Sequence, residues 1–220
     1  MKSNTMQVIS KLFIGVFILW AVNINLFGLI FANYSECTFD ETCEEKSTST
    51  VKPYVIEGAG YFLGSHSDFL LLLNRIEVSE LKGIDYGELQ GIMKKAISNM
   101  KGAKESYTAL TELAQVTPYN EAFIQKLLDF DYDSFEKEYN LNGVIFDDVE
   151  SYLGKGDVRG FYSRILSDIE KLLKSLNLIK ITVDAEKFPE ISDLWRLNDD
   201  FSKTLVFGQY AAEIFKKIKS

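Results

Sequence analysis

Apolar residues recur along four segments of the chain at steps that alternate between three and four residues. One such stripe runs through each of the segments 54–78, 85–115, 157–177 and 190–218. A mean step of 3.5 residues is typical of helices that cross at about 20°. Four stripes of similar length predict an all-α fold, an up-down-up-down four-helix bundle that occupies residues 53–220.

The stripes also predict which side chains form the core. In chain order they contain Val55, Ala59, Phe62, His66, Phe69, Leu73 and Ile76; Leu89, Met93, Ala96, Met100, Ala103, Tyr107, Leu110 and Ala114; Val158, Tyr162, Ile165, Ile169, Leu172 and Leu176; and Ile191, Leu194, Asn198, Phe201, Leu205, Gly208, Ala212 and Phe215. A small rotation of the first helix would instead bury Ile56, Leu63 and Leu70. Both registers of that helix stay open at the level of sequence.

Residues with capping chemistry stand at the ends of the stripes. Asp85 and Glu88 have the spacing of a capping box, and Asp157 is placed to cap the third long helix. Gly83 is suited to end the first helix, since glycine tolerates a left-handed backbone. These signals predict where the first helix ends and where the second and third begin.

A segment without a long stripe, residues 117–156, separates the second and third long helices. Its apolar runs and caps predict three short helices: one that ends near Leu128, one that opens at Asp133 and one near Asp147. In an up-down-up-down bundle this insert lies at the same end as the start of the first helix. Irregular segments on a rigid scaffold often carry recognition.

Residues 12–32 contain no charged side chain. Lys2 and Lys11 precede this run and the first acid, Glu36, follows it. Positive charge before an apolar run predicts that the rest of the chain is exported. Residues 1–32 are therefore interpreted as a signal peptide, which makes the protein periplasmic or secreted. The alternative is a single membrane anchor that leaves the domain facing outward.

Two cysteines, Cys37 and Cys43, follow the apolar run. An even number of cysteines in an exported chain favours a disulfide between them. Zinc is the weaker interpretation, because a structural zinc ion needs four ligands and the chain has one histidine. The sequence predicts a disulfide loop and a polar linker over residues 33–52.

The exported part is acidic: after residue 32 there are 32 acidic and 22 basic residues. The resulting net charge of −10 disfavours nucleic acid and anionic lipid as ligands. The chain contains no P-loop, G-x-S-x-G, H-E-x-x-H or C-x-x-C-H motif. A single histidine also rules out a di-iron bundle with two E-x-x-H motifs. We therefore expect no catalytic residue, no metal and no cofactor.

Two constellations allow a different interpretation. His66, with the small residues Gly64 and Gly208, could line a ligand site between the helices; the alternative is that the glycines serve close helix packing. Asp129 begins a D-x-D-x-D run that suggests calcium, but Ser134 and Asn140 stand where an EF-hand needs glycine and glutamate. A helix cap flanked by buried aromatic residues explains that run more simply.

The sequence favours a non-enzymatic helical bundle that binds a protein partner, as an accessory subunit of a membrane-associated assembly. The insert 117–156 is the expected contact surface. The alternative function is a small-molecule-binding, sensor-like bundle with its site near His66. Exposed apolar side chains on the insert would favour the first function, and a cavity at His66 would favour the second.

Overall fold

The computed structural model describes residues 41–83, 85–116, 121–141 and 143–219, and it is helical with no strand in these ranges. In chain order the helices are α1 (Glu41–Lys82), α2 (Tyr86–Val116), α3 (Glu121–Leu128), α4 (Tyr132–Tyr139), α5 (Gly143–Leu153), α6 (Val158–Asp184) and α7 (Ile191–Lys219). The predicted all-α fold is confirmed.

The described helices form a helical bundle around a continuous apolar core. Helix α1 packs on α2, α2 on α6, α6 on α7 and α7 on α1. The short helices of the insert join this bundle through α5, which contacts both α6 and α7. The core therefore extends from the long helices into the insert, where it includes Phe135, Phe146 and Val149.

The heptad stripes predict most of the core. Nearly every described member of the four stripes is buried, and Leu73 and Leu205 are half-buried. Among the described stripe residues only Ile191 is exposed, because it is the first residue of α7 and no preceding helical turn covers it. The side chain of Ala114 lies outside the described residues.

Helix α1 has the register of its primary stripe. Val55 and Phe62 are buried, whereas Ile56 is 43% exposed. Leu63 and Leu70 are only half-buried. The rotated alternative for the first helix is therefore wrong.

Local hydrogen bonds confirm the predicted helix boundaries. The backbone N–H of Glu88 donates to Asp85 Oδ1 (3.0 Å) at the start of α2. The N–H of Gly160 donates to Asp157 Oδ1 (2.8 Å), so Asp157 is the N-cap of α6. Gly83 follows α1 with φ of +89°, a backbone conformation that favours glycine.

The insert contains three short helices, as predicted, but two of them start earlier than the sequence suggests. Asp131 rather than Asp133 caps α4: its Oδ1 accepts the N–H of Ser134 (3.0 Å). Helix α5 starts at Gly143 rather than near Asp147, because Phe146 is its first buried residue and the apolar spacing of three and four begins there.

The N-terminal part of the chain differs from its prediction in one respect. Helix α1 begins at Glu41, so residues 41–52 of the predicted disulfide loop and polar linker are helical. Glutamate and lysine are good helix formers, so a polar composition alone does not end a helix.

The predicted signal or anchor segment 12–32 lies outside the described residues, as does Cys37. The side chain of Cys43 is also outside them, so its disulfide with Cys37 stays a prediction. Within the described ranges, no helix has the length and apolar character needed to cross a membrane.

Candidate functional site

The single histidine lies in the core between α1 and α7. His66 is buried, and its ring stacks on Phe201 of α7 with centroids 4.9 Å apart and an interplanar angle of 24°. The rings of Phe62 and Phe69 also contact Phe201, at 5.6 and 5.5 Å. The position of His66 in the predicted apolar stripe of the first helix therefore places the imidazole in an aromatic cluster.

The environment of His66 keeps its imidazole neutral. Burial lowers the pKa of His66 to about 4, and a side-chain hydrogen bond with Asn198 opposes this shift only in part. General acid–base catalysis at neutral pH works best with a pKa near 7. The geometry therefore favours a structural polar pair in the core over a proton-transfer group.

The other two residues of the predicted ligand site have different neighbours. Gly64 faces α2, since a Cβ atom there would lie 3.0 Å from Nδ2 of Asn99, whereas His66 faces α7. Gly208 is buried but follows Phe201 by seven residues, or about 10 Å along the helix axis. Gly64 and His66 therefore face different helices, and a ligand site that combines His66, Gly64 and Gly208 stays a prediction.

Two aspartates of the D-x-D-x-D run form hydrogen bonds with residues close to them in the chain. Asp131 caps α4, and the N–H of Ser134 holds the pKa of its carboxyl below the usual value. Asp129 Oδ1 accepts a hydrogen bond from Gln125 Nε2 (2.9 Å). In the described part of the chain, no three His, Cys, Asp or Glu side chains come close enough together to hold a metal ion. These contacts favour the helix-cap interpretation over calcium.

An open groove of about 480 Å³ lies between α3, α4 and the last turn of α7. Its lining combines aromatic and aliphatic groups with charged side chains of both signs: Lys126, Asp129, Phe130, Asp131, Ser134, Phe135, Glu138, Lys217 and Ile218. We call this the insert groove. A groove with apolar and charged walls is suited to a ligand that offers both kinds of surface.

Two lysines connect the insert to the end of α7 across this groove. Lys126 Nζ donates to the backbone carbonyl of Ile218 (3.1 Å), and Lys217 Nζ donates to Glu138 Oε2 (2.6 Å). Lys217 also lies over the rings of Phe135 and Tyr139, at 5.4 and 4.8 Å from their centroids. Each lysine is therefore engaged with the walls of the groove.

The insert is the most acidic part of the described chain. Residues 117–156 contain nine acidic and three basic residues. The pKa of Glu150 is raised, mainly by burial and then by the negative charges of Asp133, Asp147 and Glu136. A raised pKa from neighbouring acids indicates a negative potential around the insert.

Apolar side chains stand in solvent on the same segment. Val144 is 81% exposed at the start of α5, Leu128 is 46% exposed at the end of α3, and Tyr139 is 43% exposed at the end of α4. The ring of Tyr139 contacts Phe135 of the groove in a tilted arrangement, with centroids 4.6 Å apart and an interplanar angle of 34°. Contiguous exposed apolar groups are typical of a surface that another molecule covers, whereas single exposed side chains, such as Ile181 of α6 and Trp195 of α7, are common.

Sequence reasoning singled out the insert but missed the groove. The sequence predicts buried aromatic residues beside the cap of the D-x-D-x-D run; Phe135 is buried as predicted, whereas Phe130 is only half-buried. Nothing in the sequence places Lys217 and Ile218 opposite them. Comparison with protein-family models finds no match, and comparisons with curated proteins and with solved structures find none either.

Proposed function

We propose that this protein is a non-enzymatic, extracytoplasmic helical bundle that binds a protein partner through its insert, as an accessory subunit of a membrane-associated assembly. The observation that supports this proposal is the exposure of Leu128, Tyr139 and Val144 on the insert. The cost of leaving large apolar side chains in water is offset when a partner covers them.

The proposal includes an up-down-up-down topology for the four long helices. Short connections join α1 to α2 and α6 to α7, which favours antiparallel neighbours. Gln90 Nε2 near the start of α2 donates to the carbonyl of Val183 near the end of α6 (3.5 Å). The bond from Lys126 to Ile218 joins the insert to the end of α7. Both contacts fit a bundle with the insert at the end where α1 starts.

The proposed location rests on the uncharged run 12–32 and on the acids that follow it. Intact-mass measurement of the native protein separates cleavage after residue 32 from retention as an anchor. Non-reducing peptide mapping of the same sample tests the Cys37–Cys43 disulfide. Recovery of the full-length chain in the cytosolic fraction would contradict export in either form.

Partner binding can be tested with a matched pair of variants. Val144→Asp places a charge on the insert, and Ile181→Asp does the same on α6, where Ile181 is 66% exposed. Cross-linking in native membranes followed by affinity purification should recover a partner with wild type and Ile181→Asp but not with Val144→Asp. Equal thermal melts would show that both variants fold.

A comparable loss of the partner in both variants would contradict a contact through the insert. Retention of the partner by Val144→Asp would do so as well. The comparison is informative because the two side chains have similar size and exposure and the added charge is the same.

A second candidate function is small-molecule binding near His66, supported by the burial of His66 and Asn198 in the seam. A ligand at 100 times its dissociation constant adds about 2.7 kcal/mol to the free energy of unfolding. A thermal-shift screen of wild type and His66→Leu would detect such a ligand. A shift seen only with wild type would favour this function over the first.

A further inference from the structure

The insert groove points to a specific chemistry for the partner. We propose that it binds a basic, amphipathic segment of the partner protein, with apolar side chains on one face and lysine or arginine on the other. This inference rests on the proposed function, since it requires that the insert be a contact surface. It adds which part of the insert makes the contact and what the partner must offer.

The apolar part of the surface lies in and beside the groove. Phe130 is half-buried in its wall. Leu128 precedes Asp129 of the lining and is exposed, and the exposed ring of Tyr139 contacts Phe135. An amphipathic helix that docks in a groove uses anchors at spacings of three and four residues. The side chains of Phe130, Leu128 and Tyr139 offer such anchors an apolar surface.

The two lysines in the lining of the groove neutralise only part of the charge of its three acids. Lys217 pairs with Glu138, and Lys126 donates to a backbone carbonyl. Among the described residues, no lysine or arginine forms an ion pair within 4.0 Å of Asp129 or Asp131. Both carboxylates are exposed. A cationic group on the partner would find two exposed carboxylates without a direct ion pair, of which Asp131 feels the positive charge of Lys137 only at longer range.

The net negative charge of the whole insert also favours a basic partner. The excess of six acids in residues 117–156 attracts cations and repels phosphate groups. Nucleic acid and anionic lipid are therefore disfavoured at this surface. Charge complementarity of this kind mainly accelerates association and selects the partner, while the apolar contacts supply affinity.

The chemistry can be tested with designed peptides. The probe is a labelled helical peptide with leucine and lysine at amphipathic spacing, and its matched control replaces every lysine by glutamate. Fluorescence anisotropy at low salt should show binding of the lysine peptide and not of the glutamate peptide. Because the contact is partly ionic, added salt should weaken it.

Two double variants locate the site. Asp129→Lys with Asp131→Asn removes both carboxylates while asparagine keeps the helix cap, and should weaken the lysine peptide roughly tenfold or more. Glu170→Lys with Asp199→Asn makes the same two kinds of change at exposed acids on α6 and α7, each of which pairs with a lysine in the wild type. This control changes the net charge equally and should alter affinity by less than about threefold.

Three results would overturn the inference: binding of the glutamate peptide with similar affinity, full affinity of the groove variant, or an equal loss in the control variant. These outcomes are separate from failure of the proposed function. If Val144→Asp loses the native partner while the lysine peptide does not bind, the insert is still the contact surface and its proposed preference for basic segments is wrong.

Discussion

The imidazole of His66 stacks on the ring of Phe201, with centroids 4.9 Å apart, and this contact joins α1 to α7 in the middle of the core. Asn198 precedes Phe201 by three residues on α7, so the two lie on the same face of the helix. The imidazole therefore meets a polar and an aromatic neighbour from the same helix. A polar pair in an otherwise apolar seam favours one register of α1 against α7.

The first prediction concerns pH. Burial lowers the pKa of His66 to about 4 in the folded protein, whereas an unfolded chain has a histidine pKa near 6.5. The unfolded state therefore binds the proton more readily between these values. Stability should be complete above about pH 6.5 and fall as pH decreases to about 4, by roughly 3 kcal/mol in total.

Urea unfolding of wild type and His66→Leu at several pH values measures this contribution. Carboxylates also titrate over the lower part of the range, so the difference between the two proteins isolates the histidine. Wild type should lose more stability on acidification than the variant. Parallel losses in both proteins would mean that His66 is accessible to protons in the folded state.

The second prediction concerns the aromatic cluster. Phe201 is fully buried and contacts three aromatic rings of α1. Phe201→Ala should reduce the free energy of unfolding by about 3–5 kcal/mol, and Leu172→Ala on α6 by about 2–5 kcal/mol. Leu178→Ala, at an exposed position of the same helix, should change it by less than about 0.5 kcal/mol. Chemical denaturation of the three variants distinguishes core from surface, and similar losses in all three would contradict the assigned core.

Much of the fold follows from the spacing of apolar residues. Phe201 and Leu172 belong to stripes with steps of three and four, and only a helix places such residues on one face. The caps at Asp85 and Asp157 are predictable for a similar reason, since each requires only residues adjacent in the chain. Local patterns therefore predict the helices, their buried faces and several of their ends.

Contacts between distant parts of the chain are not predictable in this way. The sequence places His66 and Asn198 in the apolar stripes of two helices. Which residues of the two stripes lie opposite each other depends on the packing of all their side chains. The insert groove needs Lys217 opposite Glu138, which is 79 residues earlier. Its acidic character is visible in the sequence, whereas its position beside the end of α7 is not.

The third prediction concerns the start of α6. Asp157 Oδ1 accepts the N–H of Gly160, one of the donors that a helix leaves unsatisfied at its N-terminus. Asp157→Ala should reduce the free energy of unfolding by about 0.5–2 kcal/mol. Asp157→Ser should keep most of the stability that the cap contributes, because serine also caps helices. Thermal unfolding of both variants tests the cap. An alanine variant as stable as the serine variant would show that this bond contributes little.

The last prediction compares two glycines that lie two residues apart in α1. A Cβ atom at Gly58 would lie 3.0 Å from Cβ of Ser106 and 3.0 Å from Cε2 of Tyr107, both buried on α2. A Cβ atom at Gly60 would meet nothing within 4 Å. Gly58 thus allows the close approach of α1 to α2, whereas Gly60 has no such role.

Gly58→Ala should therefore destabilise the protein by about 1–3 kcal/mol, because the two helices must move apart to admit the methyl group. Gly60→Ala should stabilise it by about 0.5–1 kcal/mol, because alanine loses less backbone entropy than glycine in a helix. Urea denaturation of the two single variants measures the difference. Since the chemical change is the same, opposite signs can arise only from the surroundings of each Cβ atom, and equal effects would contradict the close contact between α1 and α2.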